Sequence, residues 1–459
     1  MLHYIGILVR RNAMEPKFND KKYIITHFGA KSEIGFDNQE YIQKAIDLCS
    51  EKGGGTVVIP KGYWLTSPID LKSNVCLNAE AGAYVRFTKS KEKYPLYYTE
   101  YEGRRAIRTI SPITALNAKN IAITGEGTFD GNGNAWRPKK DWKMSAQEWN
   151  KKKTSKYIAE VEDGLLWFPT ESAYLGFKNN VDEKLPDALE RASEFYDWYR
   201  PVFISITSCE NVLLRGVTIT NSPNWTIHPR YCKNVTVDGV YVKNSKEAQN
   251  SDGIDVDSCE NVVIKNCVFD VGDDAICMKS GKGREARKIV APTKNVEVYN
   301  CRVYRGHGGF VIGSEMSRGV ENVYVHDCCF FTTDIGIRVK SALGRGGYIR
   351  DIKIDNIIMC EIGGDCITFS MGYDIKSALD IADNITKYYD DDIPVISGFE
   401  ISNITCDSAA RFLSIDGLES SPVKDIALTD CHVTANADIK INNAENITFN
   451  NVTVNGKAY

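Results

Sequence analysis

One phrase returns along this chain and limits what it can fold into. Asn211-Val212-Leu213-Leu214, Asn234-Val235-Thr236-Val237, Asn261-Val262-Val263-Ile264, Asn295-Val296-Glu297-Val298 and Asn322-Val323-Tyr324-Val325 succeed one another at intervals of 23–34 residues. Weaker versions begin earlier, at Asn74 and Asn120, and continue at Asp351, Asp425 and Asn446. A period of this length belongs to a solenoid, in which each unit buries its apolar side only by stacking on its neighbours. Every unit holds two or three short runs of alternating β-branched residues, bounded by Asn, Asp and Gly. No helix of crossover length separates the runs, which argues against βαβ folds. The reading is an all-β chain, wound as a right-handed parallel β-helix with Asn at a recurrent turn.

The repeat also sets the domain plan. Residues 1–21 read as an N-terminal extension and residues 22–459 as a single β-helix domain. Asp37-Asn38-Gln39-Glu40 has the form of a capping box, and Ile42, Ala45, Ile46 and Cys49 follow at helical spacing. This predicts a helix that ends at Gly53-Gly54-Gly55 and caps the first coil. The glycines are no phosphate loop, because the helix precedes them and no Lys-Ser/Thr follows. An insertion at about residues 133–200 breaks the repeat; it is partly helical and holds five of the seven tryptophans. Its length and aromatic content suit a packed flap over a groove. A shorter excursion, 374–395, reads as a solvated loop without chemistry.

Bulk properties narrow the partners. A net charge of −4 lacks the basic excess of a nucleic-acid binder. No run approaches the roughly 18 apolar residues of a membrane span. The start, with its basic pair after a short apolar run, is not a secretory signal, so the expected location is cytoplasmic, or secreted or periplasmic if that start is misassigned. Cys209, Cys232 and Cys259 open the same phrase, and Cys267, Cys301, Cys328 and Cys431 share another repeat position. Cysteine at equivalent coil positions is a small buried hydrophobe. With no CxxC pair, neither zinc nor redox chemistry is expected, and a reducing compartment is. No cofactor or metal is expected, and the oligomeric state is not legible.

Four segments carry chemistry: Asn250-Ser251-Asp252, Gly272-Asp273-Asp274, Gly306-His307-Gly308 and Arg338-Val339-Lys340. Singly each is ordinary, since Asp beside Gly is usually a turn and Arg-x-Lys on a strand a surface pair. In a solenoid, equivalent positions on adjacent coils stand roughly 4.8 Å apart. Three aspartates so stacked have their pKa values pushed apart, which is the equipment of general acid/base hydrolysis. Arg338 and Lys340 share a strand face and can address one carboxylate.

In this order the four segments resemble the family 28 glycoside hydrolases, the polygalacturonases, whose pattern is Asn-Thr-Asp, Gly-Asp-Asp, Gly-His-Gly and Arg-Ile-Lys. Ser251 replaces Thr and Val339 replaces Ile, and neither exchange removes a reactive group. The resemblance runs from Phe28-Gly29-Ala30 to the end. The alanine after Asp274 and the run Asn221–Pro229 are similar to the bacterial, often exo-acting, branch. The resemblance implies inverting hydrolysis of α-1,4-linked galacturonic acid in pectic oligo- or polysaccharides. By position, Asp273 is the general acid, Asp252 and Asp274 activate water, and His307 supports the acid. Arg338 and Lys340 bind the galacturonate carboxylate beside the cleaved bond, with Tyr373, Asn250, Lys279 and His228 as further substrate contacts. Asp255 and Asp257 read as turn or supporting residues. The alternatives are a rhamnogalacturonan hydrolase on the same scaffold, a calcium-dependent pectate lyase and a non-catalytic carbohydrate-binding solenoid.

Overall fold

Each asparagine of the repeat turns the chain through the left-handed region, with φ of 64° at Asn74, 54° at Asn120, 58° at Asn211, 57° at Asn234, 59° at Asn261, 58° at Asn295 and 55° at Asn322. Asn enters this region more readily than other residues with a β-carbon because its short amide finds hydrogen bonds there. Those bonds run along the stack. Nδ2 of Asn120 donates to Oδ1 of Asn74 (3.0 Å), Asn211 to Asn120 (2.9 Å), Asn234 to Asn211 (2.9 Å) and Asn261 to Asn234 (3.1 Å). Asn295 and Asn322 extend the ladder at 3.1 and 2.8 Å. A second ladder at the next corner joins Asn266 to Asp238 and Asn300 to Asn266, both at 2.7 Å.

The computed structural model describes residues 14–161, 163–182, 186, 188–289, 291–373 and 389–459. Between the ladders the chain forms a parallel β-helix in which strands one coil apart pair in parallel. Registers are maintained across many coils: Val212 pairs with Val235, Val235 with Val262, Val262 with Val296, Val296 with Val323 and Val323 with Ile352. All are buried, and each such aliphatic side chain contributes about 1.5–3 kcal/mol by burial. The predicted cysteine ladder is present. Cys209, Cys232, Cys259, Cys267, Cys301, Cys328 and Cys431 are buried free thiols, and Cys232 and Cys259 donate to backbone carbonyls at 3.3 Å.

Helix α1, Gln39–Glu51, covers the first coil with Ile42, Ala45, Ile46 and Cys49 buried. Its start differs from a capping box. Asn38 makes no side-chain cap; it accepts from Lys31 N at 2.7 Å and donates to Leu65 O at 3.1 Å. Asp37 serves the end instead, accepting from Gln39 N at 3.1 Å and from Ser67 at 2.5 and 2.9 Å. The extension is docked from Met14 onward, with Phe18 against Cys76, Ala122 and Leu213 and Glu15 2.7 Å from Arg215. Of the second excursion, residues 374–388 lie outside the described residues. Asp392 within it is fully buried and paired with Arg284 and Arg287, so this part is an anchor rather than a solvated loop. No helix among the described residues is long and apolar enough to cross a membrane.

Asn261→Ala removes a rung, breaking bonds to Asn234 and from Asn295 and leaving an alanine at φ 59°. The expected cost is roughly 2–4 kcal/mol, seen as a lower urea midpoint. An unchanged midpoint would show that the ladder adds nothing to stability.

Candidate active site

One sheet of the helix forms the floor of a groove. Its strands Ile227–Arg230, Ile254–Asp257, Ile276–Lys279, Gly308–Ile312 and Ile335–Lys340 lie on successive coils. Ile227, Ile254, Ile276, Phe310 and Ile337 are register partners with no solvent exposure. Alternation sends the residues between them to the other face, so Asp255, Cys277, Val311 and Arg338 make one column on the floor. The turns that feed these strands stack as well. Thr226 N donates to Asp252 O (3.0 Å), Gly253 N to Asp274 O (2.9 Å), His307 N to Asp273 O (2.9 Å) and Asp334 N to Gly306 O (2.9 Å). Backbone pairing therefore gathers Asp252, Asp273, Asp274 and His307 into one place.

Two elements cover the floor. The first, not anticipated from sequence, is an antiparallel hairpin of Leu96–Tyr101 and Arg104–Thr109 that spans the groove. Tyr101 stacks on Trp225 at 4.6 Å, and the guanidinium of Arg108 lies 3.9 Å from the centre of the Tyr101 ring. At the tip Lys282 N donates to Glu102 O at 2.7 Å, and a β-carbon on Gly103 would sit 2.8 Å from that of Ala286. The hairpin is thus fastened to the opposite bank, with room only for glycine at the crossing. The second cover is the insertion. It places Asp182 2.7 Å from Arg108 and Arg200 2.9 Å from the Asn250 side chain. Under these covers lies a polar cavity of about 210 Å³ lined by Asp252, Asp273, Asp274, Lys279, Lys340 and Tyr373 among others. Beyond the hairpin the same floor continues beneath a separate cavity of about 840 Å³, at Thr114, Ser205 and Thr207.

Charge in the cavity is unevenly matched. Lys140, from the insertion, is buried with Nζ 2.7 Å from Asp273 Oδ2, and Lys340 Nζ is 2.7 Å from Asp274 Oδ2. His307 Nδ1 stands 3.7 Å from Asp273 Oδ1 and Arg338 Nη1 3.9 Å from Asp274 Oδ1. Burial works against ionisation of both aspartates, but Lys140 and then His307 hold Asp273 well below the usual carboxylate range, and Lys340 and Arg338 hold Asp274 below it. Asp252 has no such partner and its Oδ1 accepts no hydrogen bond. Burial, reinforced by the charges of Asp255, Asp273 and Asp274, pushes it well up. Asp255 is also held well up by burial, with Lys279 pulling the other way at 3.6 Å. Burial thus favours the protonated form of Asp252 and of Asp255, while the neighbouring cations favour the ionised form of Asp273 and Asp274.

The ligand atoms of Asp273, Asp274 and His307 lie within 4.8 Å of one another, close enough to share a cation. Lys140 and Lys340 already sit on the two carboxylates, so the positive charge there is the chain's own. Burial and then Arg338 hold the His307 imidazole below its ordinary value, favouring the neutral ring.

The remaining expected contacts divide. Asn250 lines the cavity and its backbone N–H donates to Asp273 Oδ2 at 3.1 Å. Lys279 lines it too, held by Glu315 at 2.7 Å and lying 4.6 Å from the Trp225 ring centre. Tyr373 faces both cations, with Arg338 at 5.5 Å and Lys340 at 4.9 Å from its ring centre. His228 lies behind the lining, edge-on to Trp225 and 3.4 Å from Asp257. Sequence reasoning missed Tyr101, Arg108, Lys140, Arg200 and Glu315. For the hairpin a signal existed: two alternating runs about Glu102-Gly103. For Lys140, in a lysine-rich segment, there was none.

Residues 193–387 match the model described as glycosyl hydrolases family 28. The chain is similar to an exo-poly-alpha-D-galacturonosidase of Dickeya chrysanthemi, 27% identical over 93% of this chain and 71% of that protein. It is similar as well to an endo-polygalacturonase of Pectobacterium carotovorum subsp. carotovorum, 27% identical over 74% of each chain. Among solved structures it resembles the hyperthermoactive exopolygalacturonase of Thermotoga maritima, with a TM-score of 0.82 and 29% identity over 98% of this chain and 95% of that one.

A carboxyl whose folded pKa is raised favours folding fully below its unfolded value and loses that contribution as pH rises. Asp252→Asn is therefore expected to stabilise the protein at pH 7, by about 1.4 kcal/mol for each unit of the upward shift, with the gain vanishing towards pH 3–4. Thermal unfolding of both proteins across that range measures it. An equal or lower midpoint for the variant at pH 7 would contradict the charge assignment.

Proposed function

The chain carries a family 28 glycoside hydrolase domain, and on that footing we propose that it is a polygalacturonase that removes galacturonate from chain ends. The observation that carries this reading is a carboxylate cluster, flanked by Arg338 and Lys340, in a cavity whose one end is shut by the hairpin. An internal stretch of polymer cannot thread beneath a strap tied to both banks. A chain terminus can enter, and a cavity of about 210 Å³ suits one pyranose unit before the wall.

In the proposed reaction the glycosidic oxygen lies beside Asp273, and the sugar on the leaving side presents its carboxylate to Arg338 and Lys340. Tyr373 backs both cations. Asp273 donates a proton to the leaving oxygen while Asp252 and Asp274 direct a water to the anomeric carbon from the other face. Such a displacement inverts the centre and requires room for that water between the carboxyls. Asp252, whose burial favours its protonated form, can pass a proton to Asp273 before the bond breaks. That transfer frees Asp252 to act as base, so one proton serves both roles and the cluster titrates as a unit. His307, held towards its neutral form, stands beside the acid without placing a second positive charge next to Lys140.

Digestion of polygalacturonate and tri-galacturonate without added metal tests the reading. Galacturonate monomer is expected from the earliest times, with little loss of polymer viscosity, no gain in ultraviolet absorbance and no effect of a chelator. An oligomer ladder with rapid thinning would overturn end-directed action, and an absorbing, chelator-sensitive product would overturn hydrolysis.

A further inference from the structure

The insertion returns along the rim of the groove as a strap held by three lysines. Lys139 pairs with Ala248 in an isolated antiparallel bridge and reaches Glu247 at 2.8 Å, and Lys143 reaches Asp334 at 2.6 Å. These outer pairs sit at the rim, Lys139 and Lys143 keeping about 15% of their side-chain surface exposed. The lysine between them turns inward and is buried, 2.7 Å from Asp273 Oδ2 and 3.1 Å from Gly272 O. Its backbone is fixed twice. Lys140 pairs with Leu166 in the insertion's own three-stranded sheet, and Lys140 N donates to Glu247 O at 2.8 Å. A long flexible side chain is thereby delivered to one carboxylate oxygen from an element outside the repeat.

Resting on the role given to Asp273 above, we propose that Lys140 is a positioning residue for the reaction: it aims the Asp273 carboxyl and sets the pH at which that carboxyl takes up the proton it donates. Asp273 Oδ2 receives two donors, Lys140 Nζ and Asn250 N, while Oδ1 receives Asp274 N at 3.2 Å. A carboxyl so loaded is fixed in rotation and favoured as the anion. The other charged groups facing it are His307 from the turn before Gly308, Asp252 from the turn before Ile254, Asp274 beside it, and Arg338 and Lys340 one layer further through Asp274. Asp334 lies behind Lys140. Among the described residues Lys140 is the one cation in direct contact with Asp273 that the floor does not supply, so unseating the strap frees the acid to protonate. Seating of the insertion is in this way coupled to the acid's proton affinity.

Lys140→Met and Lys140→Gln remove the charge; Lys140→Arg keeps it; Lys143→Met removes one outer pair but leaves both backbone attachments of Lys140, and so the seating of the strap, intact. The pH dependence of kcat/KM on tri-galacturonate is expected to move its alkaline limb upward by about one pH unit or more in the two neutral variants. It should stay near wild type in Lys140→Arg and Lys143→Met. An infrared titration of the Asp273 carboxyl, taken as the difference from Asp273→Asn, should show the same rise in Lys140→Met without any turnover. A protein that hydrolyses no galacturonide would overturn the proposed function, and the infrared titration would still decide the role of Lys140. An Asp273 carboxyl that titrates at the same pH with and without the lysine would overturn the inference, whatever happens to kcat.

Discussion

Backbone hydrogen bonds between coils are the interaction on which everything else in this molecule depends. They hold neighbouring strands in fixed parallel register, so residues 22–34 apart in sequence become lateral neighbours separated by one strand spacing. The same stacking that puts Ile227 on Ile254 and Ile254 on Ile276 puts the turn of Asp252 on that of Asp274. Core and carboxylate cluster are thus two readings of one register. The arrangement has a cost, because stacking equivalent turns also stacks like charges. The structure meets it with lysines on two of the aspartates, while burial favours the protonated form of the third.

What the floor cannot provide comes from outside the repeat. A solenoid groove is open at both ends, since every coil presents the same face. Closure needs an element that leaves the repeat and crosses the sheet, and the hairpin of Leu96–Tyr101 and Arg104–Thr109 does this in one span. Its fastening combines an aromatic stack on Trp225, an ion pair to Asp182 in the insertion and a backbone bond from Lys282. The insertion adds Arg200 behind Asn250 and Lys140 against Asp273. Specificity for an end, on this account, belongs to the covers, and chemistry to the coils.

This division explains what could be read from the sequence. The Asn ladder, the cysteine positions and the set Asp252, Asp273, Asp274, His307, Arg338 and Lys340 were legible because repetition writes spatial neighbours at a fixed interval. The hairpin was not recognised, although its alternation about Glu102-Gly103 is visible, because one hairpin among dozens of short strands looks like another coil. Lys140 and Asp273 are 133 positions apart and no period connects them. The insertion was expected as a flap over the groove, and the hairpin that shares this cover was not. Asp392 looked solvated among three consecutive aspartates, yet Arg284 and Arg287 from the distant helix Gly283–Ile289 pair with it. Sequence shows which carboxyls meet, while Lys140, which loads Asp273, comes from outside the repeat.

End-directed action requires the fastened hairpin to keep an internal galacturonate from the aspartates. Replacing residues 97–108 by a short turn, with the floor and insertion untouched, and following product sizes on polygalacturonate tests it most directly. A change from monomer release to a ladder of oligomers with rapid loss of viscosity is expected. Continued release of monomer alone by the folded, active variant would contradict it.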